Sequence, residues 1–148
     1  MTLFGNAKPT PAANGITLAE AVAVITAARA KAEQIGVMMN IAIVDEGNNL
    51  VSFARMDGAW QGSIDIAINK AYTARAFDMS SAALGKISQP GDMCFGIHAS
   101  NDLRVIIFGG GIPLQRDGRI IGAIGVSGGT VDQDVEVAEA GVEAFESI

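Results

Sequence analysis

Arg55, Asp57 and Lys70 form the most promising polar constellation in the chain. Arg55 and Asp57 belong to the run Arg55-Met56-Asp57-Gly58-Ala59, which ends an apolar, strand-like segment, and Lys70 follows on a helix otherwise rich in small residues. The guanidinium of Arg55 offers a planar donor fork suited to a carboxylate. Lys70 or Asp57 could then move protons. Together they point to isomerisation, hydration or elimination on a small carboxylate-bearing intermediate. An Arg55–Asp57 or Asp57–Lys70 ion pair that merely fixes the loop explains the same residues equally well.

Cys94 and His98 are the only cysteine and the only histidine. A structural zinc needs about four ligands, so these two cannot assemble such a site. A haem needs only one or two axial ligands, and either residue could supply one, although a lone histidine in a loop is more often a surface residue. A Cys94–His98 nucleophilic pair has no local signature behind it.

Gly109-Gly110-Gly111 lacks the Gly-Lys-Ser/Thr of a phosphate-binding loop, and no helix begins there. Its backbone, chiefly at Gly110 and Gly111, could approach a ligand closely or simply form a strand bulge. Gly125-Val126-Ser127-Gly128-Gly129 has the spacing of a nucleophile elbow, but only 21 residues follow Ser127 and none is histidine. That fold needs an acid and then a histidine after the serine, so a glycine-bearing turn is the better reading.

The elements that position these residues follow from periodicity and capping. Residues 1–16 hold Pro9, Pro11 and the turn pair Asn14-Gly15, and read as an irregular arm before a single domain spanning 17–148. Thr17-Leu18-Ala19-Glu20 is a capping box that starts a helix, and Gly36 stops it. Val37–Val44 and Leu50–Met56 read as strands of a hairpin around Asp45-Glu46-Gly47-Asn48-Asn49. Gly62-Ser63 opens a helix to Phe77, with Ile64, Ile68 and Ala71 on one face and Lys70, Thr73 and Phe77 on another. A short helix over Ser80–Lys86 and a loop from Ile87 to Arg104 come next; a loop that long in a compact domain is usually functional or mobile. Val105–Phe108, Ile112–Arg116 and Arg119–Val126 read as three further strands, the last two joined by the hairpin turn Asp117-Gly118. Thr130-Val131-Asp132-Gln133 caps a final helix to about Phe145, and Asp132 and Asp134 place negative charge at its favourable end. Tight hairpins cannot join parallel strands, so the sheet is expected to be mainly antiparallel.

Composition limits what such a domain can do. The 148 residues are 49% hydrophobic, with a net charge of −6 and ten scattered Lys and Arg. An acidic surface without a basic stripe disfavours nucleic acid and anionic membranes. The apolar runs are shorter than the roughly 18–20 residues of a membrane span. The N-terminus lacks the features of a secretory signal, and one cysteine allows no intrachain disulfide, so a cytoplasmic location is expected.

Three ordered blocks carry a resemblance: Ile43-Val44-Asp45-Glu46-Gly47 with Phe53-Ala54-Arg55-Met56-Asp57-Gly58-Ala59; Lys70-Ala71-Tyr72-Thr73-Ala74; and Gly109-Gly110-Gly111-Ile112-Pro113-Leu114 with Ile121-Gly122-Ala123-Ile124-Gly125-Val126-Ser127-Gly128-Gly129. From about Thr17 onward the chain resembles the GlcG/HbpS-like haem-binding family, whose domain also forms the C-terminal part of PduO-type corrinoid adenosyltransferases. The resemblance implies an α/β (α+β), profilin-like fold with a five-stranded, mainly antiparallel sheet flanked by helices, and homo-oligomers. Two functions remain open. One is binding of haem or another tetrapyrrole, with His98, Gly110 and Gly111 as the candidate cofactor-binding residues. The other is catalysis by Arg55, Asp57 and Lys70 on a small catabolic acid.

Overall fold

A computed structural model of the protein describes residues 15–148. Most of the expected arm therefore lies outside the described residues. Its last residue, Ile16, is buried in the core.

Local signals set the helix ends. Helix α1 spans Leu18–Ile35, and its capping box is complete: the Thr17 hydroxyl accepts from the Glu20 amide at 3.2 Å and the Glu20 carboxylate accepts from the Thr17 amide at 2.8 Å. That backbone hydrogen bond from Thr17 is the main force holding the Glu20 carboxyl below its ordinary range, with Arg116 adding to it. Gly36 closes the helix in the left-handed region. Helix α2 spans Gly62–Phe77, α3 Ser81–Lys86 and α4 Val131–Glu146, the last beginning in a second capping box at Thr130.

Strands β1 (Asn40–Asp45), β2 (Leu50–Arg55), β3 (Gly111–Arg116) and β4 (Arg119–Ser127) form one antiparallel sheet in the order β2-β1-β4-β3. Asp117 and Gly118 both have positive φ, which matches the twist of a two-residue hairpin between β3 and β4. Pro113 lies on β3, an edge strand, where a residue without an N–H is tolerated.

Among the described residues the sheet has four strands, not five. Val105–Phe108 takes no place in it. The Ile106 amide instead donates to the Thr73 hydroxyl on α2 at 2.9 Å, and the Ile107 carbonyl lies against Gly85 of α3. A side chain of α2 thus takes one donor that a strand partner would use, and α3 covers the neighbouring carbonyl.

The central strands are buried on both faces. Ile41, Ile43, Ile124 and Val126 pack toward α1 and α4 with Val24, Ala28, Val137 and Ala138. Ala42, Val44 and Ala123 pack on the opposite face against Ala67, Ala71 and Ala74 of α2. The buried face of α2 is therefore its alanines, whereas Ile64 and Ile68 are only half-buried. Gly125 explains the preference: a β-carbon there would meet the Ala67 carbonyl and the Ala71 amide. Helix backbone and strand backbone nearly touch, and isoleucines would not fit between them. Among the described residues, no helix is long and apolar enough to cross a membrane.

Gly125→Ala should consequently cost about 1–3 kcal/mol, because backbone rather than a movable side chain blocks the added methyl. Gly62→Ala, which meets open space at the start of the same helix, should leave stability nearly unchanged. Urea denaturation of both variants checks the contrast.

Candidate functional site

Lys70 is the structural centre of the polar residues. Its side chain leaves α2 among alanines and is 0% exposed, and its Nζ donates to the Val126 carbonyl at 2.9 Å and to Asp134 Oδ2 at 2.6 Å. Asp134, 3% exposed, accepts from the Gly128 and Gly129 amides through its other oxygen, each at 3.0 Å. One carboxylate thus neutralises the ammonium and fills the amide-lined bend between β4 and α4. The Phe108 ring adds a cation–π contact, its centroid 4.9 Å from Nζ. Burial pushes the Lys70 pKa below the ordinary lysine value, and the hydrogen bond and charge of Asp134 pull it back up.

The glycine run is shaped by this pair. Gly110 has φ +121, and a β-carbon there would lie 2.8 Å from Lys70 Nζ; at Gly111 a β-carbon would meet the Lys70 carbonyl. The Gly111 amide donates to the Ser81 hydroxyl at 2.9 Å. Gly110 and Gly111 also form part of the wall of an open cleft of about 400 Å³ with Ile112, Val135 and Val142. Close packing and a cleft wall coexist in the same residues.

Arg55 and Asp57 lie elsewhere. They line a cleft of about 440 Å³ with Arg29, Glu33, Met38 and Met56, at the end of edge strand β2. Lys70 is not among its lining residues, and its ammonium is committed to Val126 and Asp134. The constellation expected from the sequence is divided between two places because the Lys70 face of α2 turns into the protein.

His98 sits on a one-turn 3₁₀ helix, Ile97–Ala99, within the long 87–104 segment. It is exposed, and the Phe95 ring meets its imidazole edge-on at 5.9 Å between centroids. The same segment exposes Met93 (91%), Phe95 and Leu103. Cys94 is free and half-buried. Among the described residues, no three His, Cys, Asp or Glu side chains gather to hold a metal ion.

A third cleft, again about 400 Å³, opens between the N-terminal ends of α2 and α4. Trp60, Ile66, Phe108 and Val131 supply its apolar walls, and Ser63, Ser127 and Asp134 its polar atoms. Ser127 ends β4 and is paired in register with Asn40, which is fully buried. The Asn40 amide donates to the Trp60 carbonyl at 2.9 Å while its Oδ1 has no hydrogen-bond partner. Sequence reasoning missed Asn40 and the inward role of Asp134. For Asp134 a signal existed: it precedes Val137, Ala138 and Gly141 at the spacing of the buried stripe of α4.

Comparison with known proteins places this architecture. Residues 16–143 match the family model described as haem degrading protein HbpS-like. The "Uncharacterized 15.0 kDa protein in dhaT-dhaS intergenic region" of Citrobacter freundii is 42% identical over 133 residues, 90% of this chain and 94% of the relative. The corrinoid adenosyltransferase PduO of Salmonella typhimurium is 38% identical over 120 residues, 80% of this chain but 35% of the longer protein. Among solved structures, a PduOC:heme complex superposes with a TM-score of 0.85 at 33% identity, covering 88% of this chain and 94% of that one.

Removing one partner of the central pair strands a buried charge. Lys70→Met should destabilise the fold by about 3–5 kcal/mol, and adding Asp134→Asn should recover part of that loss. The pH dependence has a definite sign. Between the lowered native pKa of Lys70 and its ordinary 10.5, the unfolded chain binds more protons than the native one, so stability contributed by Lys70 rises with pH. Denaturation of wild type and Lys70→Met from neutral pH toward 10 should show wild type gaining on the variant as pH increases.

Proposed function

The chain belongs to the HbpS-like family, and we propose on that premise that it binds haem or another tetrapyrrole. The observation that carries this reading is the 87–104 segment. It presents the chain's one imidazole, His98, on an exposed surface that also carries Met93, Phe95 and Leu103. A flat apolar macrocycle needs one axial donor and apolar surface around it, and in this reading the large apolar side chains exposed on the same segment supply that surface. The heme complex of the related PduOC structure supports the same class of ligand.

In this reading His98 is the axial ligand. Gly110 and Gly111 contribute as the wall of their cleft, and their packing against Lys70 supports an architectural role first. The catalytic reading of Arg55, Asp57 and Lys70 lacks the shared site it required, and we do not retain it. The exposed Trp60, Met93, Phe95 and Leu103 also support self-association, by which such surfaces are covered. Light scattering at micromolar concentration should report a mass above that of one chain, and a strictly monomeric mass would remove that part of the proposal.

Haem titration supplies the central test. Wild-type protein should develop a saturable Soret band distinct from that of free haem, and His98→Ala should abolish or shift it while far-UV circular dichroism stays unchanged. An unaltered band in the variant would move ligation to Cys94 or Met93. Failure of wild type to bind would overturn the reading.

A further inference from the structure

We infer that the cleft between the N-terminal ends of α2 and α4 binds a small neutral molecule with a flat aromatic body and one carbonyl group, held by the hydroxyls of Ser63 and Ser127. The inference is independent of the haem reading, since neither His98 nor the 87–104 segment takes part in it.

The two serines are the first reason. Ser63 lies in the first turn of α2 and Ser127 ends β4; both line the cleft, and they are only 6% and 4% exposed. Neither hydroxyl has a hydrogen-bond partner among the described residues, a state that buried polar groups rarely keep. The Asn40 Oδ1 atom also lacks a partner, but it is sealed inside the protein. The two serine oxygens are not sealed, and the space they adjoin is the cleft. A molecule seated there can therefore reach them.

The walls set the body of the ligand. Trp60 and Phe108 present two exposed aromatic rings, and Ile66 and Val131 continue the apolar lining. Aromatic rings gain from offset-stacked or edge-to-face contact with one another, so a flat aromatic body fits these walls better than a saturated one. About 400 Å³ holds a single substituted ring with room for water.

Charge sets the polar group. The first amides of α4 have no acceptor within the helix, and Thr130 and Val131 bring that electropositive end to the cleft. An oxygen acceptor is favoured there, and a serine hydroxyl can turn its hydrogen toward one. A full anion is disfavoured, because Asp132 and Asp134 already stand in the first turn and Asp134 holds the Gly128 and Gly129 amides. A second cation is disfavoured too, since the Lys70 ammonium lies 4.9 Å from the centroid of the Phe108 ring. A neutral acceptor remains, and an amide or ketone carbonyl has two lone pairs to offer two hydroxyls.

Three probes separate these features: benzamide carries ring and carbonyl, toluene the ring alone, and benzoate the ring with a full charge. Trp60 is the only tryptophan, so its fluorescence and its indole N–H resonance in ¹⁵N-labelled protein report on the cleft directly. Benzamide should change both in a saturable way and shift the Gly128, Gly129 and Val131 amides. Ser63→Ala and Ser127→Ala should each weaken benzamide about three- to tenfold, the range that one neutral hydrogen bond supplies, and leave toluene binding unchanged. Benzoate should bind wild-type protein more weakly than benzamide does. Each variant deletes a hydroxyl that bonds nothing in the fold, so both should melt near the wild-type temperature; should one not fold, the other decides together with the benzamide–benzoate comparison. Benzamide affinity indifferent to both serines, an equal loss of toluene affinity, tighter binding of benzoate, or no saturable change at all would overturn the inference. A failed haem titration would leave these outcomes untouched.

Discussion

An ammonium group with no access to water must find its counter-charge inside the protein, and Lys70 sets that demand in the middle of this fold. Asp134 meets it, but only because α4 starts where its fourth residue can reach back across the sheet. The same carboxylate takes the amides of Gly128 and Gly129, so the bend out of β4, the start of α4 and the side chain of α2 are tied at one atom group. Gly110 follows from the pair as well, since any side chain there would collide with the lysine. Buried ion pairs contribute little net stability compared with well-packed apolar residues, yet they heavily penalise arrangements in which one partner is misplaced. The pair therefore acts mainly on which arrangement of α2, β4 and α4 is allowed.

The layer of small residues around it has a similar effect on the surface. Because α2 lies close on Ala42, Ala123 and Gly125, its bulkier side chains are displaced toward the flanks, and Ile66 joins Trp60 on the rim of a cleft. On the opposite face, branched side chains of β1 and β4 meet α1 and α4 in ordinary hydrophobic packing. One face of the sheet is thick and the other thin. The three clefts lie around these layers, with different lining chemistry in each.

Much of this was legible beforehand because it was local. Both capping boxes, the Gly36 stop and the Asp117-Gly118 turn act through residues a few positions apart, and each stands where the sequence placed it. Val105–Phe108 misled because apolar β-branched residues mark burial as readily as pairing, and here α2 and α3 take up the backbone. The site was harder to read. Lys70 could be singled out by type, but its partner lies 64 positions away, and nothing near Arg55 or Asp57 reveals that α2 turns its lysine inward. The stripe of Ser63, Ala67, Lys70, Ala71 and Ala74 did contain that information, since a charge at helical spacing among alanines belongs to the face they bury.

The edges of the sheet carry one more consequence. An open edge strand is a template on which another chain can extend the ladder, and among the described residues β2 and β3 are the two edges. Pro113 withholds a backbone donor in β3, and the sharp Asp117-Gly118 turn ends that strand after six residues. Fibrillar growth from that side is thereby discouraged. On the β2 side the charge of Arg55 and the break at Met56-Asp57-Gly58 serve the same end, so Arg55 and Asp57 also help keep neighbouring molecules from pairing strand to strand.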